Sequence, residues 1–208
     1  MELLVLDNVH PTALIHGSAE VDPTATVGAA AMIGHGARLG PHTRIGSGAV
    51  IRPEACVGEH VRIGREAEVG ERAVVGPEAD VRTQARVREH ARLGAQVIVG
   101  NRAHVGPGSR IEDGAIVASR AGIWNGVVVG RRATIGPRSV VQSDAVIGPH
   151  ARIGVLVRVE AGAVVGEQAR IGRKAVIRSG AYLTAGAIVR DHEVVAGAPG
   201  HERHNAHR

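Results

Sequence analysis

The chain has no phenylalanine, one tryptophan (Trp124) and one tyrosine (Tyr182) among its 208 residues. Large rings normally supply much of a compact core's buried area. This interior must therefore be packed from Val, Ile, Leu and Ala, within a hydrophobic share of 44%. Two rings also cannot build a stacking platform for single-stranded nucleic acid. Cysteine is equally scarce: Cys56 stands alone, which excludes an intrachain disulfide and a thiolate metal cluster. The longest apolar run near the start, Leu3-Leu4-Val5-Leu6, is too short for a signal-peptide core or a membrane span, so a soluble, cytoplasmic protein is expected. Lys174 is the only lysine among 25 basic residues, and the net charge is +5. A reader of duplex nucleic acid wants a more one-sided surface, so no nucleic-acid partner is expected. Glycine is abundant, at 29 residues, but the high aliphatic share argues against a flexible linker.

What is present is a period of six. From Val9 to Val195, every sixth residue is Val, Ile or Leu, 32 times without gap or insertion. Six is a multiple of the strand period of two and not of 3.6, so the pattern belongs to strands and not to helices. Take the aliphatic residue as position 1. Position 5 is Ala in most hexads and otherwise Ser, Thr or Val until Glu193, which suits a tight interior. Position 2 is Gly in 17 of the 32 hexads, which marks a backbone site that penalises a side chain, such as a turn. Positions 3, 4 and 6 carry most of the charge and face outward. No single hexad buries its own apolar face; coiling buries it by stacking. Three hexads per coil predict a triangular solenoid of about 10–11 coils, with strands about 4.8 Å apart. The expected organisation is an N-terminal cap over 1–8, one β-helix over 9–195, and a polar tail over 196–208.

Residues 18 apart stack on one face. Position 6 then gives the column Val128, Val146, Val164, Tyr182, and a second column of Val140, Arg158, Val176, Val194. Contiguous apolar stripes on a surface mark interfaces, so a closed homo-oligomer joined through the C-terminal half is expected. Position 4 gives Gly108, Gly126, Asp144, Gly162, Gly180. That bare column either opens a groove for a long thin ligand or eases turn geometry.

Over residues 9–195 this pattern resembles that of the hexapeptide-repeat superfamily, in whose motif the aliphatic residue is followed by Gly, Ala, Glu or Asp and, three places further on, by a small residue or Val. The resemblance implies an all-β, left-handed parallel β-helix, an exception to the usual right-handed crossover. It also implies a homotrimer and acyl transfer. The donor would be a thioester of coenzyme A or of acyl carrier protein, a co-substrate and not a bound cofactor. The acceptor would be an amino sugar or a similar amine or hydroxyl, with a histidine as general base. A neutral imidazole titrates near working pH, as removal of a proton from an attacking amine requires. The closing segment Val189-Arg-Asp-His-Glu-Val-Val-Ala-Gly-Ala-Pro-Gly200 resembles the superfamily's ending beside the donor. It implies donor contacts at Arg190, Gly197 and Pro199, together with Gly162 and Gly180 of the bare column. In lipid A and bacillosamine-type acyltransferases the base lies at position 3, nine hexads before the closing valine. Here that place is Pro137, which has no proton-accepting side chain.

The candidate catalytic residues are therefore His104, His150 and His35, in that order. His104 stacks beside Gly122, which leaves room for a ligand. His150 is nearest the expected site along the chain, and His35 alone occupies position 3. Trp124, the only aromatic at position 2, and Asn125 are acceptor-side candidates; the indole either stacks on a sugar or adenine or packs on a neighbouring subunit. The arginines Arg82, Arg86, Arg88, Arg92, Arg102 and Arg110 are phosphate candidates, or a solvated stripe. His42 and His60 stack one coil apart without a matching carboxylate, so no metal is expected. Two rivals remain. A non-enzymatic scaffold is favoured by the lack of insertion loops and of a separate acceptor domain. A γ-class carbonic anhydrase-like metalloprotein lacks its His pair five residues apart.

Overall fold

A computed structural model describes residues 8–197. The expected cap and tail lie almost wholly outside the described residues, as does Pro199. The described chain is a three-sided parallel solenoid. Each hexad forms a two-residue strand from position 6 and the next position 1, and strands 18 residues apart pair in register. The strands assemble into sheets of 11, 10 and 10. The first sheet begins at Leu14–Ile15, the second at Glu20–Val21 and the third at Thr26–Val27. Positions 1 and 5 fill the interior: Val69, Val81, Val105, Ile123 and Ile147 are fully buried, with alanines such as Ala85 and Ala145 between them. The aliphatic series thus lines the inside as expected.

The glycines act differently from the expectation. Position 2 does not hold the left-handed turn residue. Its glycine is needed because neighbouring coils approach closely there: a Cβ on Gly106 would lie 2.6 Å from the Trp124 carbonyl carbon. The left-handed residue is position 4. Every position 4 from Ala30 to His192 has positive φ, in twenty cases without glycine. An L-residue pays roughly 1–2 kcal/mol for that conformation. Stacking holds it in place, because the position-4 N–H donates to a carbonyl of the previous coil, as His150 does to Arg131 at 2.8 Å.

Among the described residues no coil precedes the first, and its turns differ from the others. Thr12, Ser18 and Thr24 are absent from the positive-φ set. Their N–H groups donate to His10 Nδ1, His16 Nδ1 and Asp22 Oδ1 at 3.2, 3.2 and 2.8 Å. Their hydroxyls then accept the N–H groups of Ala30, Gly36 and His42 at 3.0, 3.1 and 2.8 Å. His10 and His16 thus cap the turns of the first described coil.

Candidate active site

Strand pairing on the first sheet brings Glu68, Arg86, His104, Gly122 and Val140 into one outward column. His104 is half-buried in its centre. Gly122 follows it in register, and a Cβ built there would meet nothing within 4 Å. This strand position is therefore left bare without steric need, and the imidazole has open surface beside it in the next coil. Burial pushes the His104 pKa below its ordinary value, and Arg88 and Arg86 push it the same way, against Glu89 and Glu68. The shift favours the neutral ring, which is the state a proton acceptor needs.

Two residues beyond Gly122 the chain leaves the first sheet, and Trp124 stands at the corner, 49% exposed, next to exposed Asn125. Its backbone is fixed on both sides. The Trp124 N–H donates to the Val141 carbonyl at 2.9 Å, and its own carbonyl accepts the buried Ser109 hydroxyl at 2.6 Å. His104, Gly122, Trp124 and Asn125 therefore belong to one face of two adjacent coils.

The other candidates lie elsewhere. His150 is exposed at the corner between the second and third sheets, with φ +57°. It lines a hollow of about 640 Å³ with Arg152, Glu167, Gln168 and Arg170. His35 is exposed in the second coil, edge-on to His16 with ring centroids 5.1 Å apart. The structure does not bring the three histidines together. Gly162, Gly180 and Gly197 follow one another along the corner between the first and second sheets, whereas Arg190 sits at the opposite corner of the first sheet. Gly162 and Gly180 have φ +64° and +65° and open space beside them. The arginine run from Arg82 is dispersed over different faces and corners, with Arg82 paired to Asp80, Arg88 to Glu89 and Arg110 to Glu112. His42 and His60 stack with centroids 4.9 Å apart. Among the described residues no group of three or more His, Cys, Asp or Glu is placed to hold a metal ion.

Val128, Val146, Val164 and Tyr182 are consecutive in register on the second sheet. Tyr182 is 71% exposed. Among the described residues no helix is long and apolar enough to cross a membrane.

No protein-family model matches the chain, and no curated protein sequence matches it. Solved structures do. The UDP-N-acetylglucosamine acyltransferase of Arabidopsis is 20% identical, over 85% of this chain and 71% of that one, with a TM-score of 0.53. The UDP-N-acetylglucosamine O-acyltransferase of Moraxella catarrhalis is 18% identical over the same shares, with a TM-score of 0.46. The Bacteroides fragilis acyltransferase is 20% identical, over 90% of this chain and 70% of that one, also at 0.46. Three parallel sheets wound from uninterrupted hexads, and shared with the Arabidopsis structure, give this chain the fold of the left-handed hexapeptide-repeat β-helix.

Proposed function

We propose that this protein transfers an acetyl or longer acyl group from a coenzyme A or acyl-carrier thioester to an amino sugar or similar acceptor, with His104 as general base. The observation that carries the reading is the pairing of a half-buried imidazole, shifted toward its neutral form, with the vacant Gly122 position in the next coil. The fold shared with acyltransferases supports the same class of chemistry. In the reaction the acceptor nitrogen or oxygen attacks the thioester carbonyl carbon while the unprotonated ring nitrogen of His104 takes its proton. The new C–N or C–O bond forms, the C–S bond breaks, and the thiolate leaves and is reprotonated. Trp124 and Asn125 would border the acceptor. His150 and His35 become secondary candidates, because each lies on a different part of the solenoid from Gly122.

The assembly reading is a homotrimer joined through the Val128–Tyr182 stripe, working in the cytoplasm. The donor side would be Gly162 and Gly180 of the position-4 column, with Arg190, Gly197 and Pro199 assigned by the superfamily ending alone. The test is ligand-linked stabilisation. A donor that binds only the folded state raises the melting temperature in proportion to its saturation. Acetyl-CoA or an acyl-carrier thioester at millimolar concentration should raise it, and free pantetheine should do so less. If no thioester donor shifts the transition, the protein is a scaffold and not a transferase.

A further inference from the structure

The corner between the third and first sheets carries Arg102, Arg120 and Arg138 at position 4 of three successive coils. Their φ angles are +57°, +60° and +58°, so the three side chains leave the backbone from equivalent conformations about one strand spacing, ~4.8 Å, apart. Elsewhere this solenoid pairs its corner side chains. Arg72 grips Glu54 through two hydrogen bonds of 2.7 and 3.3 Å, Gln84 donates to Glu66 at 2.7 Å, and Gln96 donates to Glu78 at 3.0 Å. The Arg102–Arg120–Arg138 ladder differs: it continues the Glu66–Gln84 column, but only Arg102 has such a partner, the neutral Gln84. Among the described residues none of the three forms an ion pair.

The carboxylate of the same column, Glu66, lies two coils before Arg102 and is bonded to Gln84. The outward strand residues beside the ladder are Ile98, Ile116 and Thr134 on one sheet and His104, Gly122 and Val140 on the other. Between residues 99 and 140 the only acids are Glu112 and Asp113. Both lie at the corner between the second and third sheets, paired with Arg110 and Arg131. Turn geometry does not call for arginine, because eight other position-4 sites use glycine. Three like charges thus stack with no carboxylate paired to any of them among the described residues.

Two further features give the ladder the form of a site. The Arg102 Nε donates to Gln84 Oε1 at 2.7 Å, which fixes the guanidinium. A hollow of about 450 Å³ at this corner is lined by Arg102 and Arg120 with Thr83, Gln84, Asn101 and Ser119. Planar guanidinium forks with hydroxyl and amide donors are the chemistry that recognises phosphate. A single small anion would engage one or two rungs, whereas two linked phosphates span adjacent coils. We propose that this corner binds a ligand carrying a diphosphate group. The site does not rest on the acyl-transfer reading. It nevertheless adjoins it: Arg102 and Arg120 precede His104 and Gly122 by two residues, so a group attached to the diphosphate would reach the open surface beside His104.

The test is direct binding to the whole protein by titration calorimetry, with no turnover required. Inorganic pyrophosphate and a nucleoside diphosphate are compared with orthophosphate and sulfate. Arg102→Gln, Arg120→Gln and Arg152→Gln are tested alongside, the last taken from the separate arginine pair on the third sheet. Saturable pyrophosphate binding is expected, tighter than orthophosphate. Each ladder variant should lose about tenfold or more in affinity, with Arg152→Gln unchanged. Circular dichroism of each variant checks that the coil is intact. Tighter binding of the nucleoside diphosphate than of pyrophosphate would identify an organic ester as the ligand, and equal binding the inorganic group. Pyrophosphate binding no tighter than sulfate, or loss in Arg152→Gln equal to that in the ladder variants, would overturn the proposal.

Discussion

The buried Ser109 hydroxyl donates to the Trp124 carbonyl at 2.6 Å and accepts the Val127 N–H at 3.3 Å. One core atom thus bridges the turn that carries the exposed indole. Ser139 does the same for the Gly154 carbonyl and the Val157 N–H at 2.7 and 2.9 Å. Removing such a hydroxyl leaves a buried N–H and a buried C=O with one partner fewer, at a cost of about 1–3 kcal/mol. Ser109→Ala should therefore lower the melting temperature and, since Trp124 is the only tryptophan, shift the protein's tryptophan emission. Ser139→Ala should lower stability with the emission unchanged. Equal emission changes in both would show that the Ser109 bridge does not position the indole.

The vacant place at Gly122 separates folding from function. Its φ is not positive and a Cβ there meets nothing within 4 Å, so Gly122→Val should fold at least as stably as the parent. The isopropyl group would cover the open surface beside His104. Donor-induced stabilisation and acyl transfer are expected to fall at least tenfold while the melting temperature holds. Retained transfer with a valine at 122 would place the chemistry elsewhere.

Proton linkage gives a third check. The folded-state pKa of His104 lies below its value in the unfolded chain, about 6.5. Below that unfolded value the unfolded state binds the proton more readily, so stability falls as pH drops toward the folded pKa and is fully present above the unfolded one. His104→Gln removes this loss. The difference in melting temperature, variant minus parent, should be more positive near about pH 5 than near about pH 8. Parallel curves would mean that the imidazole is not held neutral by its surroundings.

The apolar stripe on the second sheet predicts assembly. Val146→Glu and Tyr182→Glu place a charge on outward positions of paired strands, where neither touches the core. Light scattering should show a trimer for the parent and a monomer for each variant, with unchanged circular dichroism. A parent that is monomeric at micromolar concentration would refute the interface.

Much of the fold was legible because one side-chain type repeats at one interval, and burial follows that interval through the described coils. Gly106 shows what was not. Its residue type marked a constrained backbone, but only the packed coils show that the constraint is contact with Trp124 rather than a left-handed turn. The left-handed turns fall at position 4, on glycine in eight cases, in keeping with the turn-easing reading of the bare column, but also on arginine, glutamate and histidine, where sequence offers no propensity signal and coil stacking does the work. The pairing of His104 with Gly122 was legible, because their separation of 18 equals one coil. Of the arginine ladder only Arg102 stood among the phosphate candidates, grouped with a dense run from Arg82 to Arg92 that the solenoid scatters. The informative signal was Arg102, Arg120 and Arg138 at a step of 18.

The most direct test of the central claim is release of free thiol from an acyl thioester, followed with an acceptor that the parent protein uses. His104→Ala should fold with a circular dichroism spectrum like the parent's and lose roughly 100-fold or more in turnover. A His104→Ala protein that releases thiol at the parent's rate would contradict the assignment of this histidine as the base.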